Sequence, residues 1–275
     1  MSDDNNELTA YFPRGTSASV TGTRCDQMCE HCKSTHLKGM ADVSDENGML
    51  RFIDGVIASG GKGILISGGC DANGSVPIMR HIDAIGYASK KGLAVNVHTG
   101  FITADDAERL VKAGVNAFSV DIHQDPVIIR NVLHLSTDAE AYAEMLDNII
   151  SAGGRPVVHL TAGFGTDDMV LSAELARSKG SKDVILLALV PTKGTITEDA
   201  LISEEAILSS VKLLIEMGFS VTLGCMRPRV HRGLEIKCIK AGVRKIANPS
   251  LRTLAWAKDN GFTVTEERTC CCIIH

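Results

Sequence analysis

The chain has 275 residues, a net charge of −5 and nine cysteines. Its length suits one domain of the roughly 250-residue α/β-barrel class, and without a basic block it has no nucleic-acid footprint. Met1–Glu7 is polar and acidic rather than a leader, and no apolar run approaches the roughly 18 residues of a membrane span, so a cytoplasmic protein without a membrane partner is expected. An odd cysteine count without an export pattern argues against a disulfide framework and for metal or redox chemistry.

Residues 1–14 read as an N-terminal extension, and strands then alternate with helices. The predicted strands are Ser17–Thr21, Gly63–Ile66, Ala94–His98, Ala117–Asp121, Val157–Thr161, Val184–Leu189, Ser220–Leu223 and Lys245–Ala247. Most are short apolar runs, as for strands buried on both faces. Thr103 is expected to cap Ala104–Ala113, a Thr137/Glu140 capping box to open Ala141–Ala152, Ser203 to cap Glu204–Met217, and Asn248–Pro249 to start the last helix before Gly261. Eight strands with helices between them predict a (β/α)8 TIM-type barrel, full or slightly opened, in one domain spanning 1–275. A doubly wound open sheet is the alternative. The cysteine-rich tail, 262–275, is expected to fold over the barrel mouth.

Barrel enzymes place their chemistry at the C-terminal ends of the strands. The residues predicted there are polar: Cys25, Ser67-Gly68-Gly69-Cys70, Asn96 with His98, Asp121 with His123, His159, Pro191-Thr-Lys-Gly194, Cys225 and Asn248. Cys25-Asp-Gln-Met-Cys29-Glu-His-Cys32 has the spacing C-x3-C-x2-C. Three thiolates so close can hold one iron–sulfur cubane and leave one iron without a protein ligand. A zinc site completed by His31 or His36 is the competing reading of this segment. Cys70, Cys225 and Cys270-Cys271-Cys272 form a second candidate group, whereas Cys238 lies in a helical pattern and reads as a small apolar residue. Arg227, Arg229 and Arg232 follow Cys225 and could meet a carboxylate, a phosphate or a cluster; Arg229 is read as the cofactor contact.

The cysteine motif after the first predicted strand, followed by Ser67-Gly68-Gly69, resembles the radical S-adenosylmethionine (SAM) superfamily, with His31 at a usually aromatic position. The resemblance implies a [4Fe–4S] cluster on Cys25, Cys29 and Cys32, bound SAM, and reductive SAM cleavage to a radical that abstracts hydrogen. It further implies SAM contacts from Ser67, Gly68 and Gly69, from Ser119 and Asp121, from Gly163 in the next loop, and from Val190 and Pro191. His98 and His159 are candidate contacts to SAM or substrate. The combination of Thr23 to Cys32, Ile66 to Asp71, Asn96 to Gly100, Val190 to Gly194, Leu223 to Pro228, Ile246 to Pro249 and the terminal cysteines is similar to the biotin synthase-like branch, including subunits of the two-protein lipoyl synthases. That similarity implies sulfur insertion into a protein-bound octanoyl chain. A second [4Fe–4S] cluster on Cys70, Cys225 and tail cysteines would be the sulfur donor. The implied partners are an octanoyl-bearing lipoyl-carrier protein, a related second radical SAM subunit and an electron donor such as ferredoxin. A rearrangement or cofactor-maturation reaction on the same scaffold, a zinc-dependent barrel enzyme and a non-catalytic iron–sulfur carrier remain as other expectations.

Overall fold

In the computed structural model, residues 6–13, 15–45 and 47–273 are described. Eleven parallel strands form one sheet: β1 (Glu7–Tyr11), β2 (Ser17–Ser19), β3 (Ala41–Asp42), β4 (Gly63–Ser67), β5 (Ala94–Val97), β6 (Ala117–Asp121), β7 (Pro156–Ala162), β8 (Asp183–Ala188), β9 (Ser220–Leu223), β10 (Lys245–Ala247) and β11 (Thr263–Glu267). Their order is β11-β1-β10-β9-β8-β7-β6-β5-β4-β2-β3, with no hydrogen-bonded pair joining β11 to β3. β1 and β2 are separated by residues 12–16 yet stand eight places apart in the ladder. A flat sheet would need about 38 Å for that step, whereas the connecting chain spans roughly 20 Å fully extended. The sheet is therefore rolled into an opened barrel.

All eight predicted strands are present, with ends shifted by at most two residues. Two corrections concern the first strands. Glu7–Tyr11, within the expected N-terminal extension, is a sheet strand paired with β10 and β11; residues 1–5 and 14 lie outside the described residues. β3 was not expected, and it pairs with β2 over two residues.

The strands are two-faced. Ile64, Ile66, Val95, Val97, Phe118, Val120, Val158 and Leu160 belong to the main core with the helices, such as Met49, Ile53 and Val56 of α1 (Gly48–Ala58). Each such side chain contributes about 1.5–3 kcal/mol by leaving water. The intervening residues Ala94, Asn96, Ala117, Ser119, Asp121, Val157 and His159 form the opposite face, since side chains alternate along a strand. They line the lumen.

The helices between strands are α2 (Ile82–Lys90), α3 (Ala104–Lys112), α4 (Glu140–Ser151), α5 (Thr166–Ser178), α6 (Glu204–Glu216), α7 (Leu234–Lys240) and α8 (Leu251–Asp259). Thr103 and Ser203 cap α3 and α6 as expected, accepting from Asp106 N and Ala206 N. The Thr137/Glu140 box does not form, because α4 begins at Glu140 itself and its N-cap position is Ala139. Ser250, not Asn248, caps α8, its hydroxyl accepting from Thr253 N at 3.2 Å. Cys238 is fully buried in α7, as a small apolar residue would be. Among the described residues no helix is long and apolar enough to cross a membrane.

The tail corrects another expectation. Thr269 and Ile273 lie where a Cβ on Gly63, the first residue of β4, would stand, at 2.6 and 2.7 Å. Cys270, Cys271, Cys272 and Ile273 pack with Tyr11, Ala117, Val157, Ile185 and Ala247. Apart from Tyr11 and Ala247, these partners lie toward the starts of their strands, so the tail fills the lower lumen rather than covering the mouth. Small residues there (Gly63, Ala94, Ala117, Ala247) leave the room. Ile274 and His275 lie outside the described residues.

Candidate active site

The cysteine loop leaves β2 and is fastened from three sides. Thr21 Oγ1 donates to Arg24 O at 2.8 Å and accepts from Gly69 N at 2.7 Å. Asp26 N donates to Cys70 O at 2.8 Å. A Cβ on Gly69 would overlap the Arg24 carbonyl and stand 2.6 Å from Cys25 Cα, so only glycine lets the two loops touch. On the far side, Gln27 Nε2 donates to Leu133 O, Glu30 N to Val132 O at 2.8 Å, and the Cys29 thiol to Leu133 O at 3.7 Å. The loop after β8 closes over it, with Ile196 N donating to Glu30 O at 3.1 Å. Val190 and Pro191 begin that loop, and the Val190 carbonyl accepts from Thr192 and Thr197 at 3.0 Å. Gly163 and Gly165, at φ +113° and +133°, turn the chain after β7 so that Phe164 meets the edge of His31 at 5.2 Å.

Burial, reinforced by the charges of Cys25 and Cys32, pushes the Cys29 thiol up to about 12. Cys70 is pushed to about 12 by burial and then by Cys25 and Cys29, so it belongs to this upper group and not to the tail. Such crowding costs energy in thiolates without a cation; binding iron relieves it. Burial lowers His31 to about 4, and its Nδ1 has no partner in the protein. Among the described residues, no histidine joins the motif cysteines in a set of ligand atoms within 4.8 Å. Three thiolates are a donor set that suits an iron–sulfur cluster.

Below the loop, the lumen holds a second constellation. Asp121 lies between two histidines, with Oδ2 3.1 Å from His98 Nε2 and Oδ1 3.3 Å from His159 Nδ1. Burial alone would raise the Asp121 carboxyl, but the His98 charge and the contacts from both rings hold it well below the usual range. Burial pulls His98 down, but the Asp121 carboxylate beside it outweighs burial and shifts the imidazole up. His159 Nε2 then reaches Cys272 Sγ at 3.3 Å. The three tail sulfurs lie within 4.8 Å of one another, as do the ligand atoms of His98, Asp121 and His159. Hydrogen bonds from Cys271 and Cys272 push Cys270 well down. Ser119 sits at this level, exchanging hydrogen bonds with Asn96 at 2.9 and 3.1 Å, while Asn96 Nδ2 reaches Cys270 Sγ at 3.7 Å.

Cys225, two residues past the end of β9, is exposed. Its carbonyl accepts from Arg229 at 3.1 Å, and Arg229 also donates to Asn248 O at 2.9 Å. Arg227 and Arg229 both approach Glu235, at 2.5 and 3.4 Å. These arginines brace the loop around Cys225, so Arg229 is already engaged with backbone and carboxylate.

Sequence reasoning missed two features. Asn96 bonds Ser119 and a tail sulfur across the lumen, visible only once β5, β6 and the tail are in register. Asp168 at the start of α5 is buried, bonds His123 at 2.9 Å and accepts from Gln124 N and Asp125 N. Its position at a helix start is the only signal the sequence carried for it.

Residues 19–177 match the family model of the radical SAM superfamily. The chain belongs to that superfamily. No curated protein matches the chain. Among solved structures, the chain is similar to HydG, a maturase of the [FeFe]-hydrogenase, with TM-score 0.70 and 16% identity over 94% of this chain and 64% of that one. HydG from Carboxydothermus hydrogenoformans gives 0.67 and 15% over 94% and 68%. Methylornithine synthase (PylB) gives 0.66 and 12%, over 96% and 86%. The chain spans about two thirds of the HydG length. At these identities the likeness is one of fold. In this radical SAM protein, Cys25, Cys29 and Cys32 are the residues that would hold the superfamily's cluster.

Proposed function

We infer that this radical SAM protein inserts sulfur into an unactivated C–H bond of an octanoyl chain carried on a lipoyl-carrier protein. When bound, the cluster on Cys25, Cys29 and Cys32 supplies the electron that cleaves SAM to methionine and a hydrogen-abstracting radical. Ser67, Gly68 and Gly69 offer backbone beside that loop for the amino acid end of SAM. Asp121 and His98 offer polar contacts from the upper lumen, and Val190, Pro191 and Gly163 flank the loop. The observation that carries the reading is the tail: three thiols enter the lumen beneath the radical-generating loop. Replacing hydrogen by sulfur needs those two functions close together, whereas a rearrangement needs only the first. A second iron–sulfur centre on the tail cysteines would be the sulfur source, a related radical SAM subunit and a ferredoxin-type donor the partners, and the cytoplasm the setting.

The test is anaerobic turnover with an octanoylated carrier peptide, SAM and a reductant, followed by mass spectrometry. Expected is 5′-deoxyadenosine together with a peptide in which sulfur replaces hydrogen. Abundant 5′-deoxyadenosine with an unmodified peptide, in the presence of a full iron load, would refute the substrate assignment.

A further inference from the structure

The lumen is an odd place for polar groups. Barrel interiors are ordinarily packed with branched aliphatic side chains, yet here Asn96, Ser119 and His159 stand beside three thiols, with Asp121 at the upper end of its strand. A buried imidazole is costly unless it has partners. His159 is 12% exposed in its side chain and stands between Asp121 and Cys272. Its Nδ1 faces Asp121 Oδ1 at 3.3 Å, and its Nε2 faces Cys272 Sγ at 3.3 Å. A metal-ligating histidine characteristically has a carboxylate beside one ring nitrogen and the other ligands at the other, and His159 is so placed. Histidine in place of cysteine is a known ligand to iron–sulfur centres. The thiols are fixed from behind: Arg155 donates to Cys272 O at 2.9 Å and Asn96 approaches Cys270 Sγ.

We propose that His159 is the fourth protein ligand, beside Cys270, Cys271 and Cys272, of an iron–sulfur centre in the barrel lumen, and that Asp121 orients its ring. The proposal rests on the second-centre reading above and assigns its fourth position to His159 instead of Cys225. Because Asp121 also meets His98 at 3.1 Å, one carboxylate connects the lumenal centre to the upper lumen. Histidine ligation raises the potential of such a centre relative to an all-thiolate one.

The test uses the full chain with Cys25, Cys29 and Cys32 all changed to Ala, reconstituted anaerobically with iron and sulfide, so that only the lumenal centre is observed. Pulsed EPR of the reduced centre is expected to show strong nitrogen coupling. His159→Ala should abolish that coupling and speed iron loss to a chelator. His159→Cys should keep the iron, lose the coupling and lower the midpoint potential. Asp121→Asn should keep the coupling and weaken iron retention by roughly 10–100-fold. Cys225→Ala should change neither coupling nor iron load. An iron centre without nitrogen coupling, unaffected by both His159 variants, overturns the ligand assignment while leaving a second centre in place. Absence of iron, or zinc in its stead, in the triple variant overturns the second-centre reading and the assignment together.

Discussion

Cys29→Ala is expected to abolish 5′-deoxyadenosine formation. Cys29 is the middle thiol of the three-cysteine loop proposed to hold the cluster, and it feels both Cys25 and Cys32. Two remaining thiolates do not supply the three ligands of a cubane that keeps one iron for substrate, and Cys70, the thiol beside the loop, sits just past the neighbouring strand end. The loss should exceed by far the roughly 10–100-fold that removing an outer partner of a metal ligand brings. The fold should survive, because Asp26, Glu30 and Gln27 still fasten the loop once the long Cys29 thiol contact is lost. Circular dichroism and thermal midpoint would verify this while product is measured by chromatography. Undiminished SAM cleavage in this variant would refute the assignment of the loop.

Cys271→Ala is expected to separate the two halves of the reaction. The thiol is buried, lies within 4.8 Å of both neighbours and touches no part of the upper loop in the contacts described. Removing it should strip iron from the lumen, leave uncoupled 5′-deoxyadenosine formation and reduce thiolated peptide to background. The cost in stability should be about 1 kcal/mol, the common size for a single substitution, because Ile273 and the Arg155 contact still hold the tail. Wild-type yields of thiolated peptide from this variant would remove the tail from the mechanism.

The contrast between these variants follows how much of the site is written locally. C-x3-C-x2-C is a short-range pattern, and the Gly68-Gly69 pair that lets backbone approach it follows the second predicted strand directly, so both were legible in the sequence. The strands were legible too, because Ile64, Ile66, Val95, Val97, Val158 and Leu160 announce buried β structure wherever the chain places them. β1 was not: Leu8 and Ala10 make too short an alternation, and its partners, β10 and β11, come from the other end of the chain. The destination of the tail was equally hidden. It depends on lumen space left by Gly63, Ala94, Ala117 and Ala247, four small residues on four strands whose common level exists only after the sheet rolls up. The His98–Asp121–His159 set depends on the same roll, through the register that places Asp121 opposite His159. Asn248 misled for a local reason: its φ of +48° puts it outside the helix it was expected to start, and Ser250 supplies the cap.

The central claim is that two iron–sulfur groups share one barrel, one on the loop after β2 and one in the lumen. Iron, sulfide and zinc content after anaerobic reconstitution, in wild type and in the Cys25/Cys29/Cys32→Ala variant, tests it most directly. The expected result is about eight irons with matching sulfide in wild type and about four in the variant, the content of two cubanes and of one. About four irons in wild type and none in the variant, or zinc in place of iron in either protein, would contradict it.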